Sequence, residues 1–441
     1  MLKRSHLVPE PLRELEIDSS SRSALAEDYE RFSSGLPHPL EDYIQERYGI
    51  DLKSEYGGLP IKNPFGKASG QLSLNVSQVR RDAEDGLGFV VLKTIIAEDV
   101  RGAQSMSEWA IHETRMIVER IKGTNGSEGW TVSWKGRGWY DTFEKYLEFF
   151  GEALEAVRDT GMPVVPSCKY HLPRPGEGEW KLGEYQYTTR RLLEVWQRHG
   201  PQGLSMPIEK DFSPTLAGSD RAAQTHIILQ WLMRVTGLIR QAANPTPIKV
   251  GLKVFNAIFE DAFQLEMLRA INESCEGGDA PDFLVYGNRL FDPDREFDGV
   301  IGIAYGGPDL SARNLSVLGR MRALEQVHQI PVCLLPISAT GNIVSGRIAV
   351  EYLLRGASSF QIHTYFQLPS SEYKMRTGSK TTRALHELYF HPEEGLIAWL
   401  LHLRLAFDWP SIWNIKRMAE FCVDPANHVW ASASTPARAL K

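Results

Sequence analysis

The sequence predicts an α/β fold of parallel strands alternating with helices, and three observations carry that expectation. From residue 51 onward short β-branched runs alternate with amphipathic stretches, the pattern of parallel strands joined by right-handed crossovers. Loop-like insertions interrupt this rhythm without ending it. The 441-residue length exceeds one ordinary domain, yet a (β/α)8 barrel of about 250 residues with added segments absorbs most of it.

Taken in order, the first fifty residues read as an acidic helical extension ending at HPLEDYIQERYG, suited to packing on the main domain or to a subunit contact. LKSEYGGLPIKNPFGKAS follows as an early strand or hairpin with Gly57-Gly58 at its turn. The strands are then GFVVLKTI (88–95), MPVVPSC (162–168), QGLSMPI (202–208), IKVGLKVF (248–255), DFLVYG (282–287), PVCLLPIS (331–338) and SSFQIHT (358–364). Apolar residues at three-to-four spacing predict helices over 142–161, 187–200 and 226–244. Gly161 and Gly200 stand where helix C-caps belong. Two insertions, 123–139 and 171–186, are long enough to be functional or lid-like. The chain divides into the extension (1–50), a main domain (51–385), and closing helices with an Ala- and Ser-rich tail (386–441).

A net charge of −6 and the lack of any Lys/Arg-rich run exclude a broad nucleic-acid surface. No stretch approaches the roughly 20 apolar residues of a spanning helix, and no signal peptide is legible, so a soluble, cytoplasmic protein without membrane attachment is expected. Cys168, Cys275, Cys333 and Cys422 lack metal or iron–sulfur spacing and read as reduced thiols. No Rossmann glycine fingerprint follows a strand.

The stretch NPFGKASGQLSLNVSQVRRDAEDGLGFVVLKTI (63–95) resembles the first barrel unit of the dihydroorotate dehydrogenases and of the barrel domain in dihydropyrimidine dehydrogenases. Similarity returns at KVGLKVFN (249–256), VYGNRL (285–290), AYGGPDLSARNLSVL (304–318) and ISATGNIVSGRIAVEYLLRGASSFQIHT (337–364), in the order of that family. The resemblance implies a (β/α)8 TIM barrel with an N-terminal helical extension and long βα-loop insertions, binding FMN at its C-terminal mouth. The cofactor's phosphate would lie on backbone N–H groups at Gly341 and Asn342 and at His363 and Thr364, with Gly306 and Gly307 beneath. Ala68, Ser69 and Gly70 match the backbone turn beside the isoalloxazine. Lys93 would stand near the flavin edge, Lys253 near N1 and C2, where a cation stabilises the reduced anion, and Asn288 would bond flavin or substrate. On this view Lys253→Ala weakens flavin reduction and spares the fold.

The chain also departs from the family. Asn342 and His363 replace glycines at the phosphate loops, crowding the phosphate or adding donors to it. At the fourth strand the Asn and catalytic Cys or Ser give way to LSMPIEKDFSP (204–214), which puts proton transfer near Glu209 or Lys210; the alternative there is a solvated Glu-Lys-Asp turn. Cys168, in PSCKYHLP, is a further candidate acid or a pocket residue, and Lys169, Tyr170 and His171 add titratable groups beside it. In place of the family's pyrimidine-reading asparagine loop stands GWTVSWKGRGW (129–139). There Trp130, Trp134 and Trp139 offer aromatic walls, or cover a core edge, and Lys135 and Arg137 could pair with an anion. Asn75 is a further substrate candidate.

The leading expectation is therefore an FMN-dependent oxidoreductase acting on a C–C bond next to a carbonyl of a small anionic substrate other than orotate, with a homodimer possible. The alternatives are a different flavin reaction, C–N oxidation or a redox-neutral step, and a non-catalytic barrel serving as a binding subunit.

Overall fold

The protein is described by a computed structural model covering residues 14–134, 137–212, 224–274, 279–297, 299–409 and 414–430. Ten parallel strand segments form one sheet: Ile95–Ile96, Ser167–Lys169, Met206–Asp211, Ile248–Val254, Phe283–Tyr286, Ile337–Thr340, Ala357–Ile362, Phe65–Lys67, Phe89–Val91 and Val164–Val165, in that spatial order. The sheet is a barrel-like α/β structure whose strands are wrapped by helices.

Several expected elements shift at their ends. The run 88–95 divides into Phe89–Val91 and Ile95–Ile96, and 162–168 into Val164–Val165 and Ser167–Lys169. In the latter Pro166, which lacks an N–H, sits at the break. The run 202–208 starts only at Met206 and extends to Asp211, so Glu209, Lys210 and Asp211 are buried strand residues and not a solvated turn. The run 331–338 moves to Ile337–Thr340, since two prolines bracket its apolar start. Helices occupy Phe143–Ala156, Leu182–His199 and Thr225–Ala243. Gly161 is not a cap: the first of these ends at Ala156 with Val157 as its C-cap, and Gly161 (φ 69°) turns the chain five residues beyond its last residue. Gly200 does follow its helix but with extended backbone at φ −75°.

Two antiparallel hairpins stand outside the sheet. Met116–Lys122 pairs with Glu128–Trp134, inside the first insertion, and Leu290–Phe297 pairs with Val300–Tyr305. They are joined where Gly306 N donates to Thr131 Oγ1 (2.9 Å) and where Arg295 meets Glu119 (3.3 Å). The second hairpin follows DFLVYG directly, and the Asp298-Gly299 dipeptide that stands between its strands in the sequence is a hairpin turn signal that sequence reading passed over.

A third hairpin, Ser54–Tyr56 with Leu59–Ile61, lies under the strands' N-terminal edge. Its turn glycine Gly57 has φ 57°, and a Cβ there would stand 2.8 Å from Pro207 Cβ, so only glycine lets the turn approach this closely. Tyr56 stacks on Phe89 (centroids 4.2 Å) and meets Phe283 edge-on (5.3 Å). Those aromatic rings fill the sheet's interior from below. The N-terminal helices Ser19–Arg31 and Leu40–Tyr48 bury Leu25, Ile44 and Tyr48 in the same core. Tyr29 also bonds Glu387 (2.8 Å) on the helix Lys380–Phe390, so extension and closing helices pack together. No helix among the described residues is long and apolar enough to cross a membrane.

Candidate functional site

A cleft with a cavity of about 70 Å³, open to solvent, lies along the C-terminal ends of the parallel strands. Ala68 and Ser69 enter it just past Phe65–Lys67, Asn288 past Phe283–Tyr286, Gly341 and Asn342 past Ile337–Thr340, and His363 and Thr364 past Ala357–Ile362. Gly306 and Gly307 come in from the second hairpin, and Trp130 and Trp134 from the first. Parallel strands place their following loops at one edge, which is why residues nearly 300 positions apart converge there.

Backbone demands explain several of these residue types. Gly341 has φ 110°, and a Cβ would lie 2.7 Å from Asn314 Nδ2 and 2.8 Å from Gly287 O. Gly307 (φ 100°) opens the 19-residue helix Pro308–Gln326, and a Cβ would meet Ile121 Cγ2 at 2.6 Å. Asn342 also takes positive φ, 55°, and its Nδ2 donates to Ser311 Oγ (2.9 Å). Buried Asn314 stitches the floor by donating to Gly287 O (2.8 Å) and Thr340 O (3.1 Å).

His363 packs its Nε2 against Gly70, where a Cβ would stand 2.4 Å away, and its ring faces Trp134 at 4.9 Å. Burial, with Arg289, Lys93 and other cations around it, holds this imidazole well below its ordinary value. It is therefore neutral at pH 7, and Nε2 has no hydrogen-bond partner.

Beneath the cleft two polar chains descend along the sheet's inner face. In one, Gln361 of the cleft wall and Tyr56 both donate to Glu209 Oε1, while Lys253 Nζ stands 3.6 Å from Glu209 Oε2. In the other, Ser69 Oγ bonds Thr94 Oγ1 (2.9 Å), which reaches Ser167 Oγ (3.0 Å) and Asp211 Oδ2 (3.5 Å), and Asp211 pairs with Lys169 (3.6 Å). Lys93 lies in this layer, 2% exposed. Burial, reinforced by Lys253 and Lys169 and opposed by Asp211, pushes its ammonium down to about 7.

The sequence candidates thus divide. Ala68, Ser69, Asn288, Gly306, Gly307, Gly341, Asn342, His363, Thr364 and Trp134 line one cleft. Gly70 adjoins it through His363, and Lys93 and Lys253 lie in the buried layer and are not among its lining residues. Lys210 and Cys168 are register partners with side chains on the opposite, helix-facing side from Glu209, Asp211 and Ser167, because strand residues alternate faces. Lys210 Nζ donates to Tyr170 O (3.2 Å), and burial drives the Cys168 thiol far up. Neither reaches the cleft. Asn75 is exposed and caps the helix Val76–Glu84 by accepting from Gln78 N (3.0 Å). Arg137 lies over Trp109 at 4.9 Å, outside the cleft, and Trp139 stacks on Phe149 (5.7 Å) as a core-edge residue. His171 turns to Glu177 (3.2 Å). Lys135 and Cys275 lie outside the described residues.

Sequence reading passed over Arg289, Gln361, Asp211 and Tyr56. Asp211 was legible in principle: it has the same strand parity as Glu209 and stands at the strand's C-terminal end.

Fold and cleft together define a barrel-like α/β protein with a polar cleft at the strands' C-terminal edge. Compared with known proteins, the chain matches no family model and no curated sequence.

Proposed function

We propose that the chain is an FMN-dependent oxidoreductase built on a (β/α)8 barrel. For the barrel, the strand order supplies the support: the segments 89–91 and 95–96 lie near one another in the chain but at opposite ends of the ten-segment order, as do 164–165 and 167–169. Counted as two interrupted strands, they turn the order into a ring of eight.

For the cofactor, the carrying observation is convergence. Nine of the twelve residues that the resemblance assigns to FMN, named above, line one cleft. The fit can be tested on the residues themselves. Gly307 and Gly341 keep side-chain atoms away from where backbone would meet a phosphate, and orphaned polar atoms, His363 Nε2, Arg289 Nε and Gln361 Oε1, gather at the same cleft. Gly341, Asn342, His363 and Thr364 would hold the phosphate, while Ala68, Ser69 and Asn288 would border the ring. When bound, FMN supplies a two-electron hydride acceptor and donor. The chain's own residues orient the substrate, and Trp130 and Trp134 exclude water from it. The buried cations of Lys93 and Lys253 beneath favour added negative charge in the cleft. With Cys168 and Lys210 turned to the helices, Asp211, Lys93 and His363 are the titratable groups left near the cleft to move a proton, and the substrate is a small anion other than orotate.

One contact favours a second reading, a barrel that binds an anion without flavin. His363 already covers Gly70, the turn that would border the ring. Visible absorbance of the purified protein, with mass spectrometry of ligand released by acid, separates the two. Yellow protein releasing FMN is the expected result; colourless protein that takes up no added FMN overturns the cofactor assignment.

A further inference from the structure

Among the described residues lining the cleft there is no Asp or Glu, and Arg289 is the sole Lys or Arg. Its guanidinium is held with unusual care for a group that makes no ion pair within the described residues. Nη2 donates to Val132 O, the plane lies over the Trp134 ring with Cζ 4.5 Å from the centroid, and Nε is buried with no hydrogen-bond partner.

Nearby arginines behave differently. Arg295 on the same hairpin meets Glu119 at 3.3 Å, and Arg313 meets Asp261 at 2.9 Å. A desolvated guanidinium costs several kcal/mol when no anion accompanies it, and an orphaned donor adds to that cost. The structure nevertheless fixes Arg289 between two hairpins, with one edge spent on Val132 and the π-face of Trp134 bracing the plane. Burial and the neighbouring Arg295 even push the group down to about 9, far below an arginine's ordinary value.

We infer that Arg289 is the oxyanion-recognising residue of this cleft, taking a phosphate or carboxylate group of the bound ligand on its unpaired edge. The inference deepens the proposed function and rests on the same cleft being the ligand site. Guanidinium geometry suits both oxyanions, since each presents two oxygens to the planar fork. The source is either the phosphate of the cofactor or the carboxylate of the substrate, and the neutral His363 beside Arg289 offers a further donor or acceptor to either.

The test compares wild type, R289A and R289Q for binding of FMN, riboflavin, inorganic phosphate and fumarate by calorimetry. R289Q keeps a donor for Val132 O, so it reports if R289A does not fold. If the oxyanion is the cofactor's phosphate, both variants weaken FMN and phosphate by about tenfold or more, the scale of a lost charge-assisted bond, and leave riboflavin unchanged. If it is a substrate carboxylate, FMN affinity holds and fumarate binding falls by the same factor. Wild type that binds phosphate or fumarate through Arg289 yet takes no flavin leaves this inference standing and removes the FMN reading. Affinities for all probes within twofold of wild type in both variants, or a wild type that binds none of them, overturn it.

Discussion

Lys253→Met tests whether the layer beneath the cleft is held by charge. Lys253 Nζ lies 3.6 Å from Glu209 Oε2, and both side chains are essentially inaccessible, at 3% and 0%. At an effective dielectric near 20, two unit charges at that distance attract by about 4–5 kcal/mol. Removing one partner strands the other, which costs about 3–5 kcal/mol in buried pairs generally. Tyr56 and Gln361 still donate to Glu209 Oε1 in the variant, so the lower part of that range is expected. With an unfolding entropy of about 2.1 cal/mol/K per residue over 441 residues, the loss lowers Tm by roughly 3–5 °C. Urea unfolding at pH 7, followed by tryptophan fluorescence, measures it directly. E209Q and the double variant E209Q/K253M complete the cycle, and the double variant is expected to lose less than the two single losses added. K253M within about 0.5 kcal/mol of wild type, or strict additivity, refutes the reasoning. A loss of that size leaves the fold in place at lower stability, so flavin reduction is best read in the double variant, where no buried carboxylate is left without its cation.

Two further outcomes follow from the same region. Lys93 has its folded value depressed to about 7 from an ordinary 10.5, so the unfolded chain binds more protons between those values and stability rises with pH across that window. K93M is therefore expected to be more stable than wild type at pH 6, with the advantage shrinking from about pH 7 to 10.5; a difference independent of pH in thermal unfolding would count against the buried-charge account. G341A places a Cβ 2.7 Å from Asn314 Nδ2 at φ 110°, which costs about 1–3 kcal/mol and distorts the cleft wall. It should weaken FMN uptake at least about tenfold, whereas G102A, at φ 77° with open space around it, loses about 1–2 kcal/mol and keeps FMN affinity. Equal flavin affinity in the two variants would refute the role given to Gly341.

What the sequence made legible was local. The period of Ile248–Val254 and Ala357–Ile362 announces strands without any knowledge of partners, and Gly57-Gly58 announces its turn. The hairpin at Leu290–Phe297 was missed because FDPDREF carries charges and a proline where strands are usually β-branched. Its pairing with Val300–Tyr305 and its tie to Thr131 make it a strand, and these are tertiary facts. The strand 206–211 was read as ending at Ile208 because Glu-Lys-Asp looks like surface; burial there depends on Lys253, Lys169 and Tyr56 arriving from elsewhere to satisfy the charges.

The alternation of strand faces explains why two of the three acid–base candidates, Lys210 and Cys168, lie on the helix-facing side. Choosing between Glu209 and Lys210 by residue type ignores that adjacent strand residues face opposite ways, so at most one can serve an interior site. Parity selects Glu209 and Asp211 together, and depth then separates them. Glu209 is committed to Tyr56, Gln361 and Lys253, whereas Asp211 is one hydroxyl, Thr94, removed from Ser69 in the cleft wall. A proton leaving the cleft along Ser69 and Thr94 would arrive at a carboxylate already paired with Lys169, beside a lysine poised near neutrality. Under the proposed function, that arrangement would give the chain a route for the second proton of a hydride transfer that needs neither Cys168 nor Lys210.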